Sequence, residues 1–443
     1  MMSVFEQDRV NNMTATANRT FADYYRCPEE FAHCGAECQA LADDELGLFS
    51  FNPSETIEDL RRERYLPSRR VFPNPIWQSL YYFLRSAIPS RLRWWLQRIA
   101  YAGWDRVPFP RWPVDTTVED ILECLWRALL CSERKKIPFI WFWPDGYSGA
   151  AMMTHDVETA AGLAFCSSLM NIDDSFGIKS AFELVPEGRY AIPDSDRREF
   201  RTRGFEVNVH DFNHDGLLFA DRQKFIERVQ LINNYAKEFG ASGFRSGMMY
   251  RDQDWYDALD VSYDMSVPNV AHLEPQQGGC CTVMPYFVGK VLVLPLTTTQ
   301  DFALFHVIRD YSIDLWKEQI GIILEKHGLT SFIVHPDYLR CERAQRVYKD
   351  LLSHLSALRA KKVLWVALPG EIHKWWVQRS QMMLVHNDSQ WRIEGPGRER
   401  ARIAYASLKN GRLVYEVEGI GDYPNMIIRS QLDDVQYNVP SVR

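Results

Sequence analysis

The chain has no run of 18 uncharged apolar residues, less than a helix needs to cross a bilayer, which takes about 20. Its start, Met1-Met-Ser-Val-Phe-Glu-Gln-Asp-Arg9, lacks the basic opening and apolar centre of a secretory leader, so a cytoplasmic location is expected. A long basic block is missing too: Lys and Arg are scattered and the formal charge is −7, which argues against a nucleic acid held through its phosphates. The nine cysteines are odd in number and contain no Cys-x-x-Cys. Neither a disulfide framework nor a zinc cluster at Cys27, His33, Cys34 and Cys38 is expected, and the adjacent Cys280-Cys281 reads as two reduced thiols.

What is present is apolar content enough for a large core: 443 residues, 46% hydrophobic. Single cores stop growing near about 250–300 residues, so two or three domains are expected. Residues 1–70 are polar and mixed, with helical candidates at Glu37–Leu48 and Ile57–Arg64. In Ile76–Trp104, Leu80, Phe83, Leu84, Ala87 and Ile88 share a helical face, Pro89 interrupts, and Leu92, Trp95, Leu96 and Ile99 resume it between arginines. That face suits packing on a neighbouring domain, with peripheral contact at a membrane interface as the alternative. A helix is expected over Thr117–Cys131.

From Ile137 onward, apolar runs (Ala150–Thr154, Ser180–Val185, Phe205–Val209, Gly240–Phe244, Val291–Leu296, Ser331–Val334, Val363–Ala367) alternate with helical patterns. This is the signature of an α/β domain with a parallel sheet, open or closed into a barrel, whose active groups gather at the carboxyl ends of the strands. Past Ser380 the runs shorten and alternate, with Asn410-Gly411 as a hairpin signal. The expected division is a mostly helical region 1–136, an α/β domain 137–378 and a small β domain 379–443.

Two strand ends carry chemistry. Ala150-Ala-Met-Met-Thr-His-Asp-Val-Glu158 is an apolar run leading into charge, and strand alternation sets Asp156 and Glu158 on one side, His155 and Val157 on the other. Two such carboxylates suit a metal ligand plus a general base. Phe205-Glu-Val-Asn-Val-His-Asp-Phe-Asn-His214 ends in His-x-x-x-His; on a helical turn His210 and His214 project to one side and can chelate a divalent ion through neutral imidazoles.

In order, these segments resemble the motifs of the polysaccharide deacetylase family (NodB-homology, carbohydrate esterase family four). Thr154-His-Asp-Val-Glu158 is similar to its Thr-Phe-Asp-Asp-Gly, His210-Asp-Phe-Asn-His214 to its His-Ser-x-x-His, Gly243-Phe-Arg-Ser-Gly247 to its Arg-Pro strand end, Tyr263-Asp-Met-Ser266 to its fourth motif and Ile333-Val-His-Pro336 to its Leu-x-x-His. The resemblance covers about half of the chain and departs where Val157 replaces the usual metal-binding aspartate, giving an Asp-x-Glu variant. It implies a distorted (β/α) barrel and a divalent ion, zinc by preference, on Glu158, His210 and His214. Asp156 is then the base, His335 the acid that protonates the departing amine, and Arg245 the partner that keeps Asp156 ionised. Ligation by Asp156 is the alternative. Tyr263, Asp264 and Ser266 would shape the substrate end, with Trp255, Tyr256 and Tyr286 as further aromatics of the kind that stack on sugars. The implied activity is hydrolysis of an N-acetyl or related acyl amide on a carbohydrate or glycan precursor. The competing readings are an amidase of a non-sugar amide or cyclic ureide, and a non-catalytic carbohydrate-binding or assembly protein.

Overall fold

The computed structural model describes residues 21–28, 52–67, 98–99, 101–133, 135–387 and 390–423. The helix expected at Glu37–Leu48, most of Ile76–Trp104, and His33, Cys34 and Cys38 lie outside them. Among the described residues no helix is long and apolar enough to cross a membrane, and Cys280 and Cys281 are free thiols in the core.

The α/β domain is built on β2 (Gly149–Val157), whose nine residues are all buried. A strand covered on both faces reads as a continuous apolar run, and β2 does so until its charged end. Beside it run β3 (Ala181–Leu184), β4 (Glu206–His210), β5 (Gly243–Arg245), β6 (Tyr263–Asp264) and β8 (Val291–Val293), all parallel. β7 (Tyr286–Val288) adds an antiparallel edge to β8. On the other side β9 (Leu329–Ile333) pairs with β2, and β10 (Leu364–Val366) pairs with the first residues of β2. Among the described residues the sheet therefore has nine strands.

Side chains rather than a strand ladder bring its two flanks together. Thr297, just past β8, takes an N–H···Oγ bond of 2.9 Å to Ser331 of β9, whose own N–H donates to Thr297 Oγ1 at 2.9 Å. Thr298 Oγ1 donates to the Ser331 carbonyl at 2.8 Å. Helices cover the outer face, notably α3 (Ala160–Ser175), α5 (Arg222–Phe239), α6 (Asp314–Glu325) and α7 (Glu342–Ala360). α3 opens on a Thr159 cap bonded to the Gly162 N–H; α5 opens on Asp221 and closes on left-handed Gly240, which is why the expected strand start at Gly240 moves to Gly243. The product is a distorted (β/α) barrel.

The amino end of this barrel is plugged by aromatics. α2 (Thr117–Glu133) brings Trp126 onto Phe21, Tyr25 and Phe139. β1 (Ile137–Ile140) supplies Phe139, and Trp141 to Trp143 follow it. Grouping β1 with the barrel needs correction: it pairs antiparallel with β13 (Ile403–Lys409), in the sheet of β14 (Arg412–Val417) and β15 (Gly421–Tyr423). A turn with left-handed Asp145 and Gly146 separates β1 from β2, and a four-residue apolar run carries no mark of which sheet it joins. The hairpin at Asn410-Gly411 forms, with both residues at positive φ. Beside β1 and β13, β11 (Met383–Asn387) and β12 (Gln390–Glu394) make a separate ribbon.

The N-terminal segment packs on this plug as well, with Ile57 and Leu60 in one core cluster with Phe21, Tyr25 and Trp126. α1 (Pro53–Arg61) leads to Glu63, buried against Arg251 with Oε2···Nε at 2.7 Å. The Arg61 carbonyl accepts from Gln253 and Tyr286.

Candidate metal centre and active site

Strand ends converge as the alternation of β2 requires. Asp156 and the half-buried Glu158 face one cavity with His210, His214 and His335. Their neighbours turn away: Val157 joins the outer core, and His155 meets the Val334 carbonyl at 2.8 Å and Asp173 at 3.2 Å.

The two histidines come together differently from the helical turn expected. His210 is the last residue of β4, and the chain then reverses through left-handed Asp211 and His214, with φ of 58° and 55°. Aspartate tolerates that conformation because its short side chain bonds locally; here Asp211 accepts from the Phe212 and Gly247 N–H groups. Gly247 is needed for this approach, since a Cβ there would lie 2.3 Å from Asp211 Oδ2. The imidazole centroids end 4.8 Å apart. Ligand atoms of Glu158, His210 and His214 all lie within 4.8 Å of one another, the geometry of a three-residue metal site.

His210 Nε2 is buried without a hydrogen-bond partner, as a nitrogen aimed at an ion is without the ion, while His214 Nε2 lies 3.0 Å from Glu158 Oε1, a fellow member of the triad. His210 Nδ1 lies 3.1 Å from the Arg245 carbonyl, so its proton belongs there and the Nε2 lone pair is free. His214 differs: Arg189 Nη2 approaches Nδ1 at 3.2 Å and also donates to the His214 carbonyl at 2.6 Å. Metal on Nε2 requires that Nδ1 carry the proton, leaving Arg189 its carbonyl bond alone. Burial drives the His210 imidazole down to about 4, the uncharged form a ligand needs. Burial alone would raise the Glu158 carboxyl, but His214 outweighs it and holds the carboxylate well below its usual range.

Beside the triad, Asp156 Oδ1 accepts from Arg245 Nη1 at 2.5 Å. Burial pushes that carboxyl up, and Arg245 with the nearby imidazoles overcomes this and keeps it ionised. Across the cavity, His335 Nδ1 sits 2.6 Å from Asp301 Oδ1 and its Nε2 is 3.7 Å from Glu158. Burial opposes charge on His335, but Asp301 and then Glu158 raise the imidazole to about 10, so it enters the neutral range as a proton donor.

Of the expected site residues, Asp156, Glu158, His210, His214 and His335 share the cavity, with Arg245 directly beneath Asp156. Tyr263, Asp264 and Ser266 do not line it. The hydroxyl of Tyr263 reaches Asn208 inside the barrel at 3.1 Å, and Asp264 binds Tyr256 and Ser266, whose Oγ accepts from the Ser246 N–H. These three residues brace β5 and β6, because β6 is two residues long and its side chains are swallowed by neighbouring strands. Tyr256 and Tyr286 are buried, and Trp255 packs on Phe219 and Phe225; the aromatics at the cavity are Tyr101, Phe302 and Tyr338. Asp301 went unread, although Thr297-Thr-Thr-Gln-Asp301 repeats the pattern of an apolar strand running into polar residues.

No family model and no curated protein matches the chain. Solved structures do. A candidate polysaccharide deacetylase from Mycobacterium smegmatis is 18% identical, with 54% of this chain and 93% of that one covered and a TM-score of 0.42. A candidate polysaccharide deacetylase involved in O-antigen biosynthesis from Bordetella bronchiseptica is 18% identical over 53% and 86% of the two chains, TM-score 0.33. The chitin deacetylase of Colletotrichum lindemuthianum is 13% identical over 52% and 89%, TM-score 0.33. With parallel strands in this order and acid, histidine and arginine gathered at their carboxyl ends, the fold is a distorted (β/α) barrel with a candidate site at one end.

Proposed function

We propose that the chain is a divergent, Asp-x-Glu member of the polysaccharide deacetylase family and a metal-dependent hydrolase that removes an N-acyl group from a carbohydrate. The observation that carries this reading is one cavity shared by the Glu158, His210 and His214 triad, an ionised Asp156 and a protonated His335. Two imidazoles and one carboxylate are a donor set suited to zinc, with positions left over for water and substrate. A divalent ion there supplies Lewis-acid polarisation of the acyl carbonyl and lowers the pKa of water from 15.7 toward about 7.

The remaining steps belong to the chain. Arg245 occupies one oxygen of Asp156 and leaves the other to accept the proton of the attacking water. As the carbon–nitrogen bond breaks, His335 Nε2 delivers its proton to the departing amine, while Asp301 stabilises the imidazolium before transfer and fixes the ring. Burial of these groups excludes bulk water and strengthens each interaction.

Elemental analysis of purified protein tests the reading. The expected result is about one divalent ion per chain, lost in both Glu158→Gln and His210→Ala, together with acetate release from N-acetylated sugars that His335→Ala slows without removing metal. Full metal content in both ligand variants would overturn the assignment.

A further inference from the structure

The cavity has a wall that this chemistry leaves unused. Gln300, shortly after β8, and Glu274, in the loop between β6 and β7, both face it and are each more than nine-tenths buried. Gln300 Nε2 donates to Glu274 Oε1 at 2.6 Å. Among the described residues, neither Glu274 Oε2 nor Gln300 Oε1 takes part in any hydrogen bond, so the pair presents two acceptors and a spare amide N–H to the cavity.

The loop carrying Glu274 is built to hold it still. Gln276 bonds both the N–H and the carbonyl of Arg251, at 2.9 and 3.0 Å. Arg251 is in turn locked to Glu63, which also accepts from the Gly279 N–H at 2.7 Å. Asn269 exchanges hydrogen bonds of 2.8 Å with both the N–H and the carbonyl of Asp115. Two residues of the N-terminal region, Glu63 and Asp115, thus clamp the loop at separate points, which gives that region a role at the site. Apolar surface from Leu273, Phe302 and Tyr338 flanks the polar pair, a combination suited to a ring with hydroxyls at its edge and C–H groups on its faces.

We propose that Glu274 and Gln300 form a hydroxyl-recognition subsite that selects the acylated sugar by hydrogen bonding neighbouring hydroxyls of its ring. This rests on the deacetylase reading for the identity of the ligand, and deepens it by naming what distinguishes sugar from simple amide. Burial lifts the Glu274 carboxyl to about 7, so near neutrality it can donate as well as accept.

The test compares metal-loaded wild type, Glu274→Ala and Gln300→Leu on an N-acetylhexosamine, on its 3-deoxy and 4-deoxy analogues, and on 4-nitrophenyl acetate. Wild type is expected to favour the full sugar over at least one deoxy analogue by about 10-fold or more in kcat/KM, as for any site whose buried polar groups are left unpaired by the analogue. Both variants lose that preference through KM while keeping their metal. If wild type shows no such preference, or the variants retain it, the subsite is overturned. If wild type turns over none of these compounds, the deacetylase reading fails by itself, and saturation-transfer NMR with the same sugars decides the subsite: transfer in wild type that is lost in both variants supports it, and equal or absent transfer overturns it. Gln300→Leu lies outside the clamped loop, so the comparison survives poor folding of Glu274→Ala.

Discussion

The two ends of the barrel bury their residues by opposite means. At the amino end, Trp126, Phe139, Trp141 and Trp143 are fully enclosed and meet mainly rings. Trp141 Nε1 donates to the Tyr147 carbonyl and Trp143 Nε1 to that of His327, while Trp126 Nε1 is buried with no hydrogen-bond partner among the described residues. At the carboxyl end, Asp156, Arg245, His210, His335 and Asp301 are as deeply enclosed but meet charge and hydrogen bonds. Apolar burial is non-directional and contributes about 25 cal/mol per Å² whichever ring provides it. A buried charge, by contrast, requires a specific partner at a specific distance. The amino end can therefore be exchanged for other shapes of equal volume, whereas the carboxyl end is defined residue by residue.

The sharpest break of that contrast is Asp156→Asn. Asparagine keeps the volume but cannot take a proton, and loss of a positioned general base costs about 100- to 10,000-fold in turnover. Because Asp156 lies outside the Glu158, His210 and His214 triad, metal content is expected to stay at the wild-type level. Acetate release together with elemental analysis reads both quantities, and loss of metal would transfer the ligand role from Glu158 to Asp156.

Next in size is a change at the other end. Trp126→Ala removes a fully buried indole held by three rings and should cost about 3–5 kcal/mol of stability. Metal content and turnover per folded molecule are expected to hold, since nothing polar at the site reaches this cluster. Urea unfolding followed by kinetics on the folded fraction checks it; a fall in turnover matching the fall in stability would mean that the ends are coupled.

What could be read from sequence follows the same division. Asp156 and Glu158 were legible because strand alternation is local, and the runs that became β2, β3, β4 and β9 announced themselves by continuous burial. His210 and His214 were legible as a pair but not in their geometry, since two left-handed residues made the turn that a helix was expected to make. Tyr263, Asp264 and Ser266 misled because a two-residue strand gives alternation nothing to act on. Asp301 and Glu274 act on groups 34 and 26 residues away, and Glu63 on one 188 away; separations of that kind leave no periodic trace. β1 carried the apolar run of a barrel strand and joined another sheet.

Between the two ends lies Glu183 of β3, opposite Asp156 in the sheet register. It is wholly buried, its Oε1 accepts from Asn208 at 3.3 Å, and its Oε2 has no partner. Burial raises this carboxyl to about 8, against the opposing pull of Arg245. The sign follows directly. Below the ordinary carboxyl range both folded and unfolded chains hold the proton; between about 4.5 and 8 the unfolded chain releases it while the folded one keeps it. Stability contributed by this group therefore falls as pH rises through that window, by at most about 1.4 kcal/mol per unit. Glu183→Gln reproduces the protonated form at every pH, so the variant should match wild type near pH 4 and become progressively more stable than it toward pH 8. Urea midpoints taken across that range measure the divergence. Parallel curves would mean that Glu183 is ionised in the fold, and that the charged character of the carboxyl end extends down the barrel toward the aromatic plug.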